Sequence, residues 1–297
     1  MKQYKISVHI VYYNPNREKK KITKLKKVCH SYLSLSKRTK IFVHTVNKNK
    51  DIINNRIKFI FHNLHNKHPH KLTWVCRKLM FKQRNKFDFF IYGEDDIVFN
   101  KKNFNYWLKY KDLCIRNNYN LGFLRVEKRV KDNKLISSDQ VKKIKYFCKI
   151  EDKLFAKPEN ANYSIWIYDQ NEFKKFTKTK YWNFQFKIKT ISGVLLIREM
   201  AAIGWHSELM DRYKATLIPF KNKKLNKNSF IKHISNNYAN NPAGLFGTLS
   251  IDKIFENNLK YFFPKNKIYK FLARLKYYGY CVLRFNLKNF KKRILSS

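Results

Sequence analysis

Acidic residues are scarce in this chain. Twenty Asp and Glu stand against 65 Lys and Arg in 297 residues, a formal charge of +45. A field this positive excludes an acidic, self-solvating chain and attracts polyanions, whether nucleic acid, nucleotide sugars or an anionic membrane surface. Lys, Asn, Ile, Phe and Tyr are all abundant, as in proteins encoded by AT-rich genomes, so much of the lysine belongs on solvated faces. Long apolar runs are missing as well. No stretch of about 18 uninterrupted apolar residues occurs, which excludes an ordinary transmembrane helix. The start, Met1-Lys2-Gln3-Tyr4-Lys5-Ile6, enters a strand-like run without the apolar segment and cleavage site of a signal peptide. The five cysteines, Cys29, Cys76, Cys114, Cys148 and Cys281, form no Cys-x-x-Cys pair. That argues against a zinc ribbon or dithiol motif and predicts free thiols in a reduced, cytoplasmic compartment. No Gly-x-Gly-x-x-Gly follows the first apolar run and no Gly-x-x-x-x-Gly-Lys occurs, which argues against a dinucleotide fold and a P-loop kinase.

What is present is a globular composition, 44% hydrophobic and 16% aromatic. Strand-like and helical patterns alternate through the first 117 residues. Ile6–Tyr12, Lys40–Val46, Ile57–His62 and Phe89–Tyr92 read as strands. Residues 18–35, a segment opened by His68-Pro69, and a segment around Phe104, Trp107, Leu108 and Ile115 read as helices. This alternation predicts an α/β architecture with a mostly parallel sheet flanked by helices. The second half is less regular. Strands are expected at Leu121–Glu127, Tyr163–Tyr168, Ala215–Pro219 and Phe230–Ile234, with a mobile connection or β-excursion over 128–160 and a helix at Gly193–Ile203 closed by Gly204. The expected division is a catalytic unit over 1–257, with halves 1–117 and 118–257, and a tail over 258–297. The tail holds 11 Lys or Arg, no acid and ten Phe or Tyr, with Ile268, Phe271, Leu272 and Leu275 on one helical face. It reads as a basic helical segment that docks on the domain, contacts an anionic membrane surface, or does both.

The most informative motif is the end of the fourth strand. Phe89-Phe90-Ile91-Tyr92-Gly93 runs into Glu94-Asp95-Asp96, three carboxylates in a row in a chain with few. Clustered carboxylates at the end of a buried strand are costly unless a cation or ligand takes up their charge. Hard oxygen ligands suit Mg²⁺ or Mn²⁺, and ligands of open α/β sheets bind at the carboxyl ends of strands.

An α/β half whose fourth strand ends in Glu-Asp-Asp resembles the GT-A glycosyltransferases, over roughly residues 5–250. Their Asp-x-Asp motif binds a divalent cation and a nucleotide-sugar donor, and Glu94-Asp95-Asp96 looks like its Glu-Asp-Asp form. The resemblance implies a GT-A-like, Rossmann-like fold with an irregular acceptor-side half. It implies that Asp96 binds Mn²⁺ or Mg²⁺, joined by His233, and that Glu94 or Asp95 holds the ribose or a metal-bound water. It implies a catalytic base at Glu199, in Ile197-Arg198-Glu199-Met200, with Glu208 and Asp211 as weaker alternatives. His68, His70 and His206 are less well placed than His233. Acids that hold the nucleobase in many family members are replaced here by Val46-Asn47-Lys48, so base recognition falls to Tyr13, Asn14 or Asn47. Arg77 or Lys71 would add positive charge near the diphosphate, and Trp166 and Trp205 would stack on sugars. The implied activity is metal-dependent transfer of a sugar, with a UDP-sugar donor and inversion favoured, to a glycan or lipid-linked acceptor hydroxyl. Surface polysaccharide or lipopolysaccharide synthesis at the inner face of a membrane is the implied setting.

Two rival classes stand beside this reading. A basic nucleic-acid-binding protein is suggested by the charge, but zinc-finger spacing, an RNP-type aromatic motif and an obvious helix-turn-helix are all missing. Such a protein also has no use for three carboxylates that repel phosphate, so nucleic acid is not the expected partner. A nucleotidyltransferase uses a similar sheet and metal, but its Gly-rich phosphate loop has no counterpart in Tyr13-Asn14-Pro15-Asn16.

Overall fold

A computed structural model of the chain describes residues 3–47, 54–64, 69–160, 164–179, 181–182, 201–202, 204–205, 213–241, 244, 246–264, 268 and 272. They form a mixed α/β structure. The first sheet has the order β11-β4-β1-β2-β3, built from β1 (Ile6–Tyr12), β2 (Thr39–Thr45), β3 (Ile57–Phe61), β4 (Phe89–Glu94) and β11 (Ile165–Asp169). The first four are mutually parallel, as the strand–helix alternation predicts, and β11 is antiparallel to β4. Helices α1 (Lys19–Leu33) and α2 (Leu72–Gln83) are its crossovers.

Alternate side chains of β1 divide the core. Ile6, Val8, Ile10 and Tyr12 pack with Leu25, Val28 and Tyr32 of α1. On the other face Trp74, Cys76 and Met80 of α2 join Phe90, Tyr92, Trp166 and Phe173. Gly93 lies where the α1 face closes tightly on β4. A Cβ there would stand 2.5 Å from the Tyr32 hydroxyl, and Tyr32 is fully buried, so glycine is what lets α1 approach the strand that ends in the carboxylates.

Helix α3 (Lys101–Arg116) starts at a capping box, in which the Asn100 side chain accepts from the amides of Lys102 and Asn103 while Asn103 accepts from that of Asn100. The expected strand at Leu121–Glu127 divides into β6 (Asn120–Leu121) and β7 (Leu124–Lys128). The 128–160 span is a β-excursion of β8 (Leu135–Ser137), β9 (Ile144–Ile150) and β10 (Lys153–Lys157). With β12 (Thr216–Lys221), β13 (Lys224–Leu225) and β15 (Phe255–Tyr261) these build a second sheet of order β13-β12-β10-β9-β15, to which β6 adds. A third, small sheet has the order β5-β14-β7-β8, with β5 (Ile97–Val98) and β14 (Phe230–His233).

β15 lies across the expected division after residue 257. It pairs with β9 at Lys260–Tyr146 and Tyr261–Phe147, so the tail begins inside a sheet. Most of the tail, from residue 265, and most of the Gly193–Ile203 helix lie outside the described residues. Gly204, at φ 61°, has the left-handed backbone of a helix end. Among the described residues, no helix is long and apolar enough to cross a membrane.

Candidate functional site

The three carboxylates sit at the carboxyl end of β4, the central partner of β1 and β11. Glu94 is the last strand residue, and Asp95 and Asp96 make the turn into β5. β5 then pairs with β14, matching Ile97 to His233, and the amide of Ile234 donates to the carbonyl of Asp96 at 2.9 Å. This pairing carries the late histidine to the carboxylates across 137 positions of sequence. His233 Nε2 lies 2.9 Å from Asp96 Oδ2, and the Ser235 hydroxyl donates to the same oxygen at 2.5 Å. The other oxygen, Oδ1, is buried and has no hydrogen-bond partner among the described residues.

His233 is itself gripped from behind. Its Nδ1 bonds to Glu127, on the neighbouring strand β7, and Glu127 Oε2 accepts from the amides of Tyr238 (2.9 Å) and Ala239 (2.6 Å). Beside it Arg125 donates from Nε to Asp139 at 2.8 Å and through Nη2 to the second Asp139 oxygen, and reaches the Ser164 hydroxyl at 2.8 Å. Lys24 of α1 donates to Ser235 at 2.8 Å.

The electrostatics follow from this crowding. Asp95 is pushed up to about 8 by desolvation, then by the charges of Asp96 and Glu94, with Lys21 opposing. Burial would also raise Asp96, but the hydrogen bond and charge of His233, with the Ser235 hydroxyl, hold its carboxyl below the ordinary range. Burial opposes a charge on His233, yet its bonds to Asp96 and Glu127 prevail and carry its pKa up to about 9. These shifts favour charge on His233, set between two carboxylates, and disfavour it on Asp95.

These residues fit a divalent cation. Asp96 Oδ1 is a buried acceptor in want of a positive partner, and the charges of Glu94 and Asp96 reach Asp95, its neighbour in the turn. A histidine that ligates a metal commonly donates its other ring N–H to a carboxylate, which is how Glu127 already holds His233. To hold an ion through Nε2, His233 would have to give its Nε2 proton to solvent and keep the Nδ1 proton on Glu127. Among the described residues, no three His, Cys, Asp or Glu side chains converge as a metal cluster, so the fit rests on Asp96 and His233.

Several other expected site residues are placed differently. Asn14 is fully buried and spends its side chain on the turn, donating to the Tyr12 hydroxyl (2.7 Å) and the Glu18 carbonyl and accepting from the Glu18 amide (2.9 Å). Both amide protons are thus spent inside the turn, which leaves one lone pair of Oδ1. Asn47 donates to the carbonyls of Asn14 (2.6 Å) and Pro15, tying the loops after β1 and β2 together at the carboxyl edge. Tyr13, 39% exposed at that same edge, presents a ring that a base could stack on. Arg77 is not a phosphate contact. It is buried on Trp74, with 4.0 Å between guanidinium and ring, and donates to the carbonyls of Tyr181, Trp182 and Ala201. Trp166 and Trp205 are core residues rather than sugar platforms. Trp166 is fully buried and donates to the Ala201 carbonyl, and Trp205 stacks on Phe176. His70 is part of the short turn Pro69–Lys71 before α2. Glu199, Glu208, Asp211, His68 and His206 lie outside the described residues.

Sequence reasoning missed Arg125, Glu127 and Ser235. Glu127 carried a readable signal, since it is a lone acid closing an apolar strand in a chain short of acids. It also missed a histidine ladder on the α2 face of the first sheet. His9 Nδ1 bonds to His44 Nε2 at 2.9 Å, and His44 Nδ1 to His62 Nε2 at 2.8 Å. The inner end rests on Ser7 and Gln83, at 2.9 and 3.1 Å from His9 Nε2. Burial lowers His9 to about 3 and His44 far below its usual value, and lowers half-buried His62.

The folded ladder thus refuses protons that the unfolded chain accepts below about pH 6.5. Its contribution is complete above that pH and is lost as the pH falls toward 3. Asp95 works in the opposite direction by one proton across about pH 4–8. His9 and His44 together outweigh it, and the raised Asp139 with it, once the unfolded histidines are largely protonated, so unfolding free energy falls as the pH drops from about 5.5 to 4.5. Urea midpoints at four pH values check this, and a flat profile across that window would contradict it.

No family model and no curated protein matches this chain. Among solved structures it is similar to S. aureus TarS 1–349, at 13% identity and a TM-score of 0.36, over 67% of this chain and 56% of that one. It thus spans little more than half of that structure. It is also similar to CMP:2-keto-3-deoxy-manno-octonic acid synthetase complexed with CTP, at 12% identity and a TM-score of 0.38, over 67% of this chain and 87% of that one. Likenesses this distant assign no chemistry, which rests on the side chains above.

Proposed function

We propose that the chain is a metal-dependent glycosyltransferase of the GT-A type. The observation that carries this reading is the unpartnered, buried Oδ1 of Asp96, at the carboxyl end of a central parallel strand, beside two further carboxylates and a histidine backed by Glu127. Asp96 and His233 would hold Mg²⁺ or Mn²⁺, with Glu94 or Asp95 on the ribose or a bound water. The ion supplies positive charge to a leaving diphosphate. Tyr13 would stack on the base, and the Asn47 tie keeps its loop at the carboxyl edge. Glu199 is the proposed base for the acceptor hydroxyl, an effect worth about 10²–10⁴-fold in rate.

The donor proposed is a UDP-sugar and the acceptor a surface glycan or lipid-linked saccharide, with inversion at the anomeric carbon. The basic tail is the proposed contact with the inner face of a membrane. A nucleotidyltransferase would use the same carboxylates, and only product analysis separates the two.

Thermal melts with a panel of nucleotide sugars, with and without Mn²⁺, test the reading. One donor should stabilise the protein only when Mn²⁺ is present, by about 2.7 kcal/mol at 100 times its dissociation constant. Glu199→Gln should keep that shift and lose most turnover. Stabilisation by a nucleotide sugar that is indifferent to Mn²⁺ and EDTA would overturn the metal-dependent reading.

A further inference from the structure

The small sheet has a second face. In β14 and β7, Ile231 pairs with Arg125 and Lys232 with Val126. Side chains alternate along strands, so His233 and Glu127 share the face turned to Asp96, while Phe230, Lys232 and Val126 share the other. That other face floors a groove of about 930 Å³. Six lysines line it: Lys102, Lys134, Lys223, Lys224, Lys227 and Lys232. Lys223 and Lys224 come from the tight β12–β13 turn, whose Asn222 and Lys223 both adopt positive φ (49° and 52°). Lys223 is braced by donating to the Asn257 carbonyl at 2.6 Å. One carboxylate, Asp252, faces the six ammonium groups, and it accepts from the Ser250 hydroxyl. Between the charges lie an apolar floor, Val126, Leu225 and Ile251, and the amides of Asn100 and Asn228.

We propose that this groove binds an acidic glycan, a linear chain carrying repeated carboxylate or phosphate groups. Its cations meet the anionic groups, its apolar floor the C–H faces of sugar rings, and Asn100, Asn228 and Asp252 the hydroxyls. The volume is that of a small-ligand site and accommodates a few sugar units, not a duplex. Single-stranded nucleic acid is bound on aromatic platforms, and Phe230 is the one aromatic in the lining. A concave surface does not meet the plane of a bilayer. The site lies on the opposite face of the sheet from Asp96, so the inference stands apart from the transferase reading and does not need it.

The test compares two variants of the full chain with equal charge loss. Lys134, Lys224 and Lys232→Gln empties the groove of three cations. Lys78, Lys82 and Lys86→Gln removes three from α2 and the turn that follows it. Fluorescence anisotropy with a labelled hyaluronan decasaccharide is read across a salt series, with a ten-nucleotide oligo(dT) as comparator. The groove variant should bind the saccharide at least ten-fold more weakly and show a flatter log–log salt slope than the parent. The α2 variant should match the parent. Equal losses in both variants would reduce the groove to the general positive field and overturn the proposal. So would groove-dependent binding of oligo(dT) tighter than that of the saccharide. Matching far-ultraviolet spectra and melting temperatures confirm that both variants fold.

Discussion

Asp96→Asn is expected, on the proposed transferase reading, to lower sugar transfer by about 10²–10³-fold or more while the protein stays folded, because it removes the negative charge that would hold a divalent cation against the donor diphosphate. The amide keeps the shape of the carboxylate and can still accept from Ser235 and His233, so the β5–β14 junction survives. Lost is the negative charge on the buried Oδ1, the feature on which a divalent ion would settle. His233 then has one carboxylate partner instead of two, and its pKa should fall from about 9 toward the ordinary imidazole range. Two measurements separate site from scaffold. Mn²⁺-dependent thermal stabilisation should vanish, while the melting temperature without metal changes little. Full transfer in this variant, or in excess EDTA, would remove the metal from the mechanism.

Glu127→Ala should be the most destabilising single change at the site. The Glu127 side chain is wholly buried, and it serves His233 and two backbone amides of the loop after β14. Removing it leaves His233 with Asp96 alone and takes the acceptor from two N–H groups. Breaking a buried pair from one side costs about 3–5 kcal/mol. Glu127→Gln should cost much less, since its carbonyl oxygen can still accept. It should nevertheless weaken metal affinity, by about 10–100-fold if Glu127 orients a ligating histidine. Urea melts of the two variants, followed by Mn²⁺ titration of the Gln form, check both halves. A Glu127→Ala protein as stable as the parent would mean that the carboxylate carries none of this load.

The part of the molecule legible in the sequence is the part where local pattern and neighbour order coincide. Each strand of β1–β4 is a short apolar run, and the segments joining them supply helices whose apolar faces meet the sheet. The carboxylate triplet was readable because acid is scarce, and the approach of His233 to Asp96 was anticipated by resemblance. What escaped depends on register. Positions 9, 44 and 62 look unrelated until β1, β2 and β3 align in parallel and set three rings in a row. Arg125 and Glu127 read as ordinary strand residues until β14 pairs beside them and buries both. Asn14, Arg77 and the two tryptophans failed for the opposite reason. Their chemistry suits a ligand, but the fold uses the same donors and rings to close a turn and fill a core.

The guanidinium of Arg77 gathers carbonyls from both sides of a chain segment: Tyr181 and Trp182 before it, Ala201 after it. Positions 182 and 201 are thereby held on one buried cation, although 18 residues of sequence separate them. Chain between two fixed anchors can be lengthened cheaply, since doubling a loop costs about 0.6 kcal/mol in closure entropy. Changes of length between these two anchors should therefore leave the stability of the two aromatic-rich layers around Arg77 almost unaltered.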